Sequence, residues 1–361
     1  MAFLDSTRNI NLSCPANQLG YGIAGLNLAK SLHDLKHSVS LYIIGQLDVP
    51  EEYHEDIKQM IANSRMPDWN APSIRIWHQH DMAQFVGNGE KYGFPIFELD
   101  TFSDIETHHL DACDELFVCS EWAKDVVISN LYRLYKRLDL TKNVHVVPLG
   151  VDTEIFKPVK STQKEKTIFF NCGKWEVRKG HDILIEAFKK VSDNNKDIEL
   201  WMMCTNPFNS PEEEAQWHQL YNHPQVRIIP RAETQQEVYS IMSKVDCGVF
   251  PSRGEGWNLE LLELMSCGKH VIATNYSAHT EFCTQENSSL VSIRDVEPAF
   301  DNKWFFGQGN WANLDETAIN ELQTQMEKFI QNHDGGLNLK GIETARQFNW
   351  DNTANGILNN V

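Results

Sequence analysis

Two carboxylates eight positions apart flank a turn into a helix, in the run Val249-Phe250-Pro251-Ser252-Arg253-Gly254-Glu255-Gly256-Trp257-Asn258-Leu259-Glu260-Leu261-Leu262-Glu263. An apolar strand enters a Pro/Ser/Gly turn, and the second carboxylate falls on the helix that follows. An ionised carboxylate only accepts hydrogen bonds, which suits sugar hydroxyls, and the N–H groups at a helix start suit phosphate oxygens. Glu255 on the turn is placed to accept from the hydroxyls of a sugar. Glu263 leans toward the helix N-terminus, where it can accept both hydroxyls of a ribose. The pattern builds a pocket for a sugar nucleotide. The competing reading puts Glu263 on a solvated helix face beside Glu260.

A second cluster supplies the opposite charge. Gly173-Lys174-Trp175-Glu176-Val177-Arg178-Lys179-Gly180 lies between a strand and a helix, with three cations beside the helix start. In a chain of net charge −18, this reads as a diphosphate clamp made by Lys174 and Lys179, with Arg178 pairing with Glu176. A merely solvated loop is the alternative. Gly20-Tyr21-Gly22-Ile23-Ala24-Gly25 fits G-x-G-x-x-G, yet five residues separate it from the strand and no acid ends the next strand. Dinucleotide binding is therefore disfavoured. The expectation is a loop whose small residues, Gly20 and Gly22, let a phosphate or sugar approach the backbone. A purely structural turn is the alternative. Trp77-His78-Gln79-His80-Asp81 offers H-x-H without a third ligand, and no Asp-x-Asp occurs, so no metal site is expected. His80 fits a structural histidine and one that hydrogen-bonds a substrate hydroxyl equally well. His108-His109 reads as helix surface.

Those residues need elements to hold them. At 361 residues, with 41% hydrophobic and 23% charged content, the chain predicts two globular domains. No apolar run is long enough to cross a membrane, and the start lacks an apolar leader segment. The eight cysteines show no C-x-x-C pair and read as reduced, buried thiols, so a cytoplasmic location is expected. The negative charge excludes long nucleic acid as a partner. Residues 124–142, with Arg133, Lys136, Arg137 and Lys142 among apolar residues, read first as an ordinary helix with its apolar side in the core. The second reading is a basic amphipathic helix making peripheral contact with a lipid surface or an anionic acceptor.

Short apolar runs alternate with helical patterns. Strands are expected near 9–14, 38–44, 73–77, 116–119 and 144–148, and again at 167–172, 198–203, 226–229, 245–250 and 270–273. Helices are expected at 22–33, 51–63, 181–191, 235–244 and 258–267, the last stopped by Gly268. Alternation of this kind implies parallel sheets with helices on both faces. Pro148, Pro158 and the lysine-rich 157–166 stretch mark the break between two such units. The reading is an N-terminal Rossmann-like acceptor domain (1–155), a C-terminal Rossmann-like nucleotide-sugar domain (156–335) and a helical tail (336–361) returning toward the first. The ligand is expected in a cleft at the carboxyl ends of the strands.

The segment Val147–Pro158, the loop Gly173–Gly180, the E-x7-E run Glu255–Glu263, and Met265–Thr274 with Glu281 together resemble retaining glycosyltransferases of the GT-B type, close to family 4. The resemblance covers roughly Val144 to Glu281 and is loose before it. It implies two Rossmann-like domains facing across a cleft and transfer of a hexose from a UDP- or GDP-sugar, with retained anomeric configuration and neither metal nor cofactor. Lys174, where many members have arginine, and Lys179 would contact the diphosphate. Glu255 would bind the sugar beside the amides of Gly256, Trp257, Asn258 and Leu259, and Glu263 would hold the ribose. The loop bearing Arg231 would lie by the base, His80 by the reacting sugar, and Gly20 and Gly22 on the facing loop. Trp257-Asn258 departs from the commoner Phe-Gly. No side chain is an obligate covalent nucleophile, so front-side displacement is expected. The acceptor, a glycan, lipid or small molecule, is left open. A non-catalytic sugar-nucleotide-binding or partner subunit would carry the same pocket, and a dehydrogenase using Gly20–Gly25 is the remaining alternative.

Overall fold

A computed structural model describes residues 7–136, 143–160 and 165–361. These divide into two units. The first takes the described residues up to Phe97, those within Thr101–Gly150, and Phe348–Val361; the second takes Glu98–Asp100 and the described residues of Val151–Gln347.

In the first unit the elements run β1 (Asn9–Cys14), α1 (Gly20–Asp34), β2 (Ser38–Ile43), α2 (His54–Asn63), β3 (Ser73–Trp77), β4 (Lys91–Pro95), α3 (Asp104–Asp111), β5 (Glu115–Val118), α4 (Glu121–Tyr135) and β6 (Val144–Val146). The strands form one six-stranded sheet ordered β2-β1-β3-β4-β5-β6, with every pairing parallel. Strand β4 has no clear sequence signal, because Lys-Tyr-Gly-Phe-Pro reads as a turn. It is interior because Gly93 leaves room for the Cys113 sulfur, which would lie 2.6 Å from an added Cβ.

The second unit continues with β7 (Thr167–Gly173), α5 (His181–Asn194), β8 (Ile198–Cys204), α6 (Pro211–Leu220), β9 (Val226–Ile228), α7 (Gln235–Met242), β10 (Cys247–Phe250), α8 (Leu259–Ser266), β11 (His270–Thr274), the short α9 (His279–Phe282), β12 (Ser289–Val291), the hairpin β13 (Val296–Phe300) and β14 (Phe306–Ala312), α10 (Glu316–Asn332) and α11 (Leu339–Gln347). Its parallel sheet is ordered β12-β11-β10-β7-β8-β9. Strand β7 is buried along nearly its whole length, as a strand covered on both faces must be. Successive strands step outward from β7 to β9, and the chain then returns to place β10 on the other side of β7. The loops after β7 and β10 therefore diverge at a topological switch point, where open parallel sheets bind ligands. Gly268 (φ +75°) closes α8, its N–H bonding to the Met265 carbonyl and that of Lys269 to the Leu264 carbonyl, both at 2.9 Å. This is a Schellman cap.

The expected boundaries shift at two places. Val151–Phe156 belongs to the second unit because Phe156 is buried there and its carbonyl accepts from the Ser266 hydroxyl at 2.6 Å. The 336–361 stretch divides. Helix α11 stays with the second unit, packed against α8, while α12 (Trp350–Leu358) packs against α1 in the first. There the Ser31 hydroxyl donates to Asp351 at 2.6 Å and Thr353 donates to the Pro148 carbonyl at 2.8 Å.

Of the basic stretch 124–142, residues 137–142 lie outside the described residues. The rest is helix with Val126, Val127 and Leu131 in the core. Arg133 pairs with Asp104 at 2.9 Å, and Lys136 sits over the Tyr132 ring. Glu121 and Asp125 share the exposed face, so the described turns are not a uniformly basic surface. Among the described residues, no helix is long and apolar enough to cross a membrane.

Candidate active site

The loops after β7 and β10 are fastened to each other by backbone. Gly180 (φ +68°) approaches the Pro251 carbonyl so closely that an added Cβ would lie 1.9 Å from its oxygen. The Arg253 N–H donates to the Arg178 carbonyl at 2.6 Å, and the Arg253 guanidinium grips both oxygens of Asp182 at 2.8 Å. A planar fork on a carboxylate fixes orientation as well as distance. Buried His181 completes the support: its Nδ1 accepts from the Glu176 N–H at 3.3 Å, which leaves Nε2–H to donate to Asn171 Oδ1 at 3.0 Å. Burial, reinforced by Lys179, depresses this imidazole to about 3, so it stays neutral and able to accept.

On that frame the charged residues form a chain of alternating sign. Lys174 Nζ lies 2.7 Å from Glu176 Oε1. Arg178 donates to Glu176 Oε2 at 2.7 Å, to the Gly254 carbonyl at 2.7 Å and to Glu255 Oε2 at 2.8 Å. Lys179 Nζ donates to Glu255 Oε1 at 3.0 Å, and the Ser252 hydroxyl donates to the same oxygen at 2.8 Å. The N–H of Glu255 bonds to the Ser277 hydroxyl oxygen at 2.9 Å. Glu176, Arg178, Lys179 and Glu255 are all buried. Burial pushes the Glu255 carboxyl upward, but Lys179 and Arg178 outweigh it and hold the group well below the usual carboxylate range. Glu98, from the three-residue stretch that joins this unit, lies 4.0 Å from Arg178. Burial outweighs the guanidinium there, so its pKa rises.

Glu263 sits one turn into α8 with 6% of its surface exposed and with no hydrogen-bond or ion-pair partner among the described residues. Burial, then the neighbouring Glu260 carboxylate, pushes its pKa well above the ordinary value. Glu260, Glu263 and Lys179 all act electrostatically on the thiol of Cys172 near the end of β7, and Glu260 also acts on Lys179 itself. A largely buried acid with no protein partner on the first turns of a helix is costly, and its carboxyl is left to accept hydrogen bonds from water or a ligand.

Residues 165–303 match the family described as Glycosyl transferases group 1. The chain is 20% identical over 271 residues to a glycosyltransferase of Sulfolobus islandicus filamentous virus, spanning 73% of this chain and 67% of that protein. It is 28% identical over 158 residues to a D-inositol 3-phosphate glycosyltransferase of Xylanimonas cellulosilytica, across 40% of this chain and 37% of that one. An MMP alpha-(1->4)-mannosyltransferase of Mycolicibacterium hassiacum is 25% identical over 161 residues, 43% of this chain and 38% of that one. Residues 165–303 therefore carry a domain of the glycosyl transferases group 1 kind. Solved structures carry the fold: sucrose-phosphate synthase from Thermosynechococcus elongatus superposes with a TM-score of 0.68 at 15% identity, over 98% of each chain. Anabaena HepE, in complex with UDP and glucose, does so with a TM-score of 0.69 at 13% identity, again over 98% of each.

In this domain the cluster gathers Lys174, Lys179 and Glu255, and places Glu263 on the adjoining helix. Gly256, Trp257, Asn258 and Leu259 are buried at the start of α8. Asn258 takes a positive φ of 109°, where glycine would be unstrained, and uses its side chain instead. Its Oδ1 caps the helix by accepting from the Leu261 N–H at 3.1 Å, and its amide donates to His279 Nε2 at 2.9 Å. Arg231 is exposed in the loop after β9.

The remaining expected residues lie in the first unit. His80 is exposed after β3, stacked on His78 at 5.2 Å. In α3, His108 is exposed and His109 is half-buried, with a buried, unpartnered Nδ1. Gly20 and Gly22 correct the expectation of an open loop, because they are the first and third residues of α1, and residues 15–19 form the loop. Gly22 makes room for it, since an added Cβ would lie 2.2 Å from the Asn17 carbonyl oxygen. Gly20 has nothing within 4 Å of that position. Sequence reasoning assigned Arg178 to Glu176 and missed its second carboxylate, Glu255. Ser252 and Ser277 were missed as well; Ser252 lies in the turn itself, whereas Ser277 is 22 positions from Glu255 and gave no signal.

Proposed function

We propose that the chain transfers a hexose from a UDP- or GDP-sugar to an acceptor hydroxyl, with retained anomeric configuration and without a metal. The observation that carries this is Glu255, a buried carboxylate kept ionised by two cations at the mouth of a parallel sheet. The HepE structures with UDP and UDP-glucose support the donor class. Lys174 and Lys179 would take the donor's diphosphate, together with the N–H groups at the start of α8. Glu255 would accept from the sugar hydroxyls, with the amides of Gly256 to Leu259 beside it. Glu263 would accept from the ribose, and the Arg231 loop would border the base. His80 would face the reacting sugar, and Gly20 and Gly22 would shape the acceptor side.

The leaving diphosphate bears the developing charge, so preorganised cations are the largest catalytic contribution, roughly 100- to 1,000-fold for one key donor. In a front-side displacement, the bond from the anomeric carbon to the diphosphate oxygen breaks as the acceptor oxygen bonds on the same face. The departing phosphate oxygen takes the acceptor proton. No covalent sugar–enzyme intermediate is needed. The acceptor is a glycan, a lipid or a small molecule, and the reaction belongs in the cytoplasm.

The test is nucleoside diphosphate release from UDP-glucose and GDP-mannose over an acceptor panel, with a chelator present. Release that requires acceptor, an α-configured product by NMR, and a far larger loss in Lys179→Ala than in His109→Ala are expected. Tight donor binding with no release under any acceptor would instead identify a non-catalytic subunit.

A further inference from the structure

Glu255 is held by two cations of different kinds, each on its own oxygen. Lys179 reaches Oε1 through a flexible stem, sharing that oxygen with the Ser252 hydroxyl. Its ammonium carries three donors, so it has capacity to spare. Arg178 reaches Oε2 and is pinned on three sides, by Glu255, the Gly254 carbonyl and Glu176. Lys174 stands at the far end of the same chain, bonded to Glu176 and over the Phe208 ring at 5.7 Å. The two termini are thus lysines with free donors, and the centre is a guanidinium whose donors are engaged. An incoming diphosphate competes for the ends and not for the middle.

We infer that Arg178 is a positioning residue that keeps Glu255 ionised and in place once Lys179 turns onto the donor's diphosphate. The inference rests on the donor reading above and deepens it. Without Arg178, a diphosphate that drew Lys179 away would leave a buried carboxylate with no cation. The other groups facing Glu255 cannot replace it. His279, on α9, and His181 are buried with lowered pKa values, and Glu98 and Glu176 are acids. Glu255 would then take up a proton and lose its capacity as a pure acceptor for sugar hydroxyls.

Two measurements test this. The first is calorimetry of UDP and GDP binding at pH 7.5 in buffers of different ionisation enthalpy, on the full chain and on Arg178→Gln. The variant should absorb close to one proton more than the parent on binding, and the double variant Arg178→Gln/Glu255→Gln should lose that excess. A purely structural role for Arg178 would change affinity or melting temperature but not the proton count. Equal uptake in parent and Arg178→Gln overturns the inference. The second uses the unsubstituted protein, so it stands even if Arg178→Gln fails to fold. With 13C-labelled glutamate carboxyls and Glu255→Gln to assign the signal, Glu255 should remain ionised from pH 7.5 down to pH 5 with UDP bound. Protonation of Glu255 on UDP binding overturns the inference. Failure of the parent to bind either nucleotide would overturn the donor reading itself, and with it this step.

Discussion

Replacing Glu263 with glutamine should stabilise the empty protein while removing its response to nucleotide. Glu263 is buried without a partner, and burial together with Glu260 raises its pKa well above the ordinary value. Below the unfolded pKa of about 4.3, the group is protonated in both states and costs nothing. As pH rises past that value, the unfolded chain ionises while the folded one holds its proton, so stability falls until the folded pKa is reached. Each unit of elevation is worth about 1.4 kcal/mol, and glutamine removes the penalty. The ligand-free variant should therefore melt higher than the parent by roughly 2–4 °C per kcal/mol in a domain of this size, with the gap absent near pH 4 and widening toward pH 8. Nucleotide binding should show the opposite effect. An ordinary hydrogen bond contributes about 0.5–1.5 kcal/mol, so losing both bonds to the ribose hydroxyls weakens binding roughly 5- to 150-fold. At a UDP or GDP concentration near 100 times the parent's dissociation constant, stabilisation should fall from about 2.7 kcal/mol to about 0.4 kcal/mol for a hundredfold loss. Thermal melts from pH 4 to 8, with and without nucleotide, read both effects. A Glu263→Gln protein that is less stable at pH 8, or that keeps the full nucleotide shift, would refute the ribose assignment.

His181 should make the protein acid-labile. Its folded pKa of about 3 lies below the unfolded value of about 6.5, so stability is lost as pH falls through that window, by on the order of 5 kcal/mol in all. His181→Gln should flatten the melting profile between pH 7 and 4, and an unchanged profile would assign the acid sensitivity elsewhere. Gly22→Ala should lower the urea midpoint by the equivalent of about 2 kcal/mol or more, whereas Gly20→Ala should be neutral or slightly stabilising, because only the first forces a Cβ against backbone. Asn258→Ala should cost about 1–3 kcal/mol, through the lost cap and the strained φ, and Asn258→Gly distinctly less. Equal melting temperatures in the two Asn258 variants would show that backbone geometry is not the constraint.

Much of the second unit was legible before any coordinates. Strand β7 and helix α5 carry strong periodic signals, Gly268 marks a helix end, and Lys174, Lys179, Glu255 and Glu263 stand out by residue type and spacing. Strand β4 escaped because its Lys-Tyr-Gly-Phe-Pro composition opposes a strand locally and is accepted only for the packing around Gly93. The glycines of α1 misled in the other direction. Their spacing imitates a phosphate loop, yet Gly22 and Gly25 are small because the 15–19 loop and Cys14 press against them.

By itself, then, the sequence determined the element pattern and the charged residues proposed to meet a sugar nucleotide, since both depend on neighbours along the chain. Which cation holds which oxygen was decided only in three dimensions. Arg178 and Glu255 are 77 positions apart, and their 2.8 Å contact exists because the chain returns to lay β10 beside β7 and the backbone at Gly180 and Pro251 closes the two loops together. Tertiary structure likewise left Glu263 buried and unpaired, because burial and the distance to a countercharge are properties of packing that residue spacing does not encode.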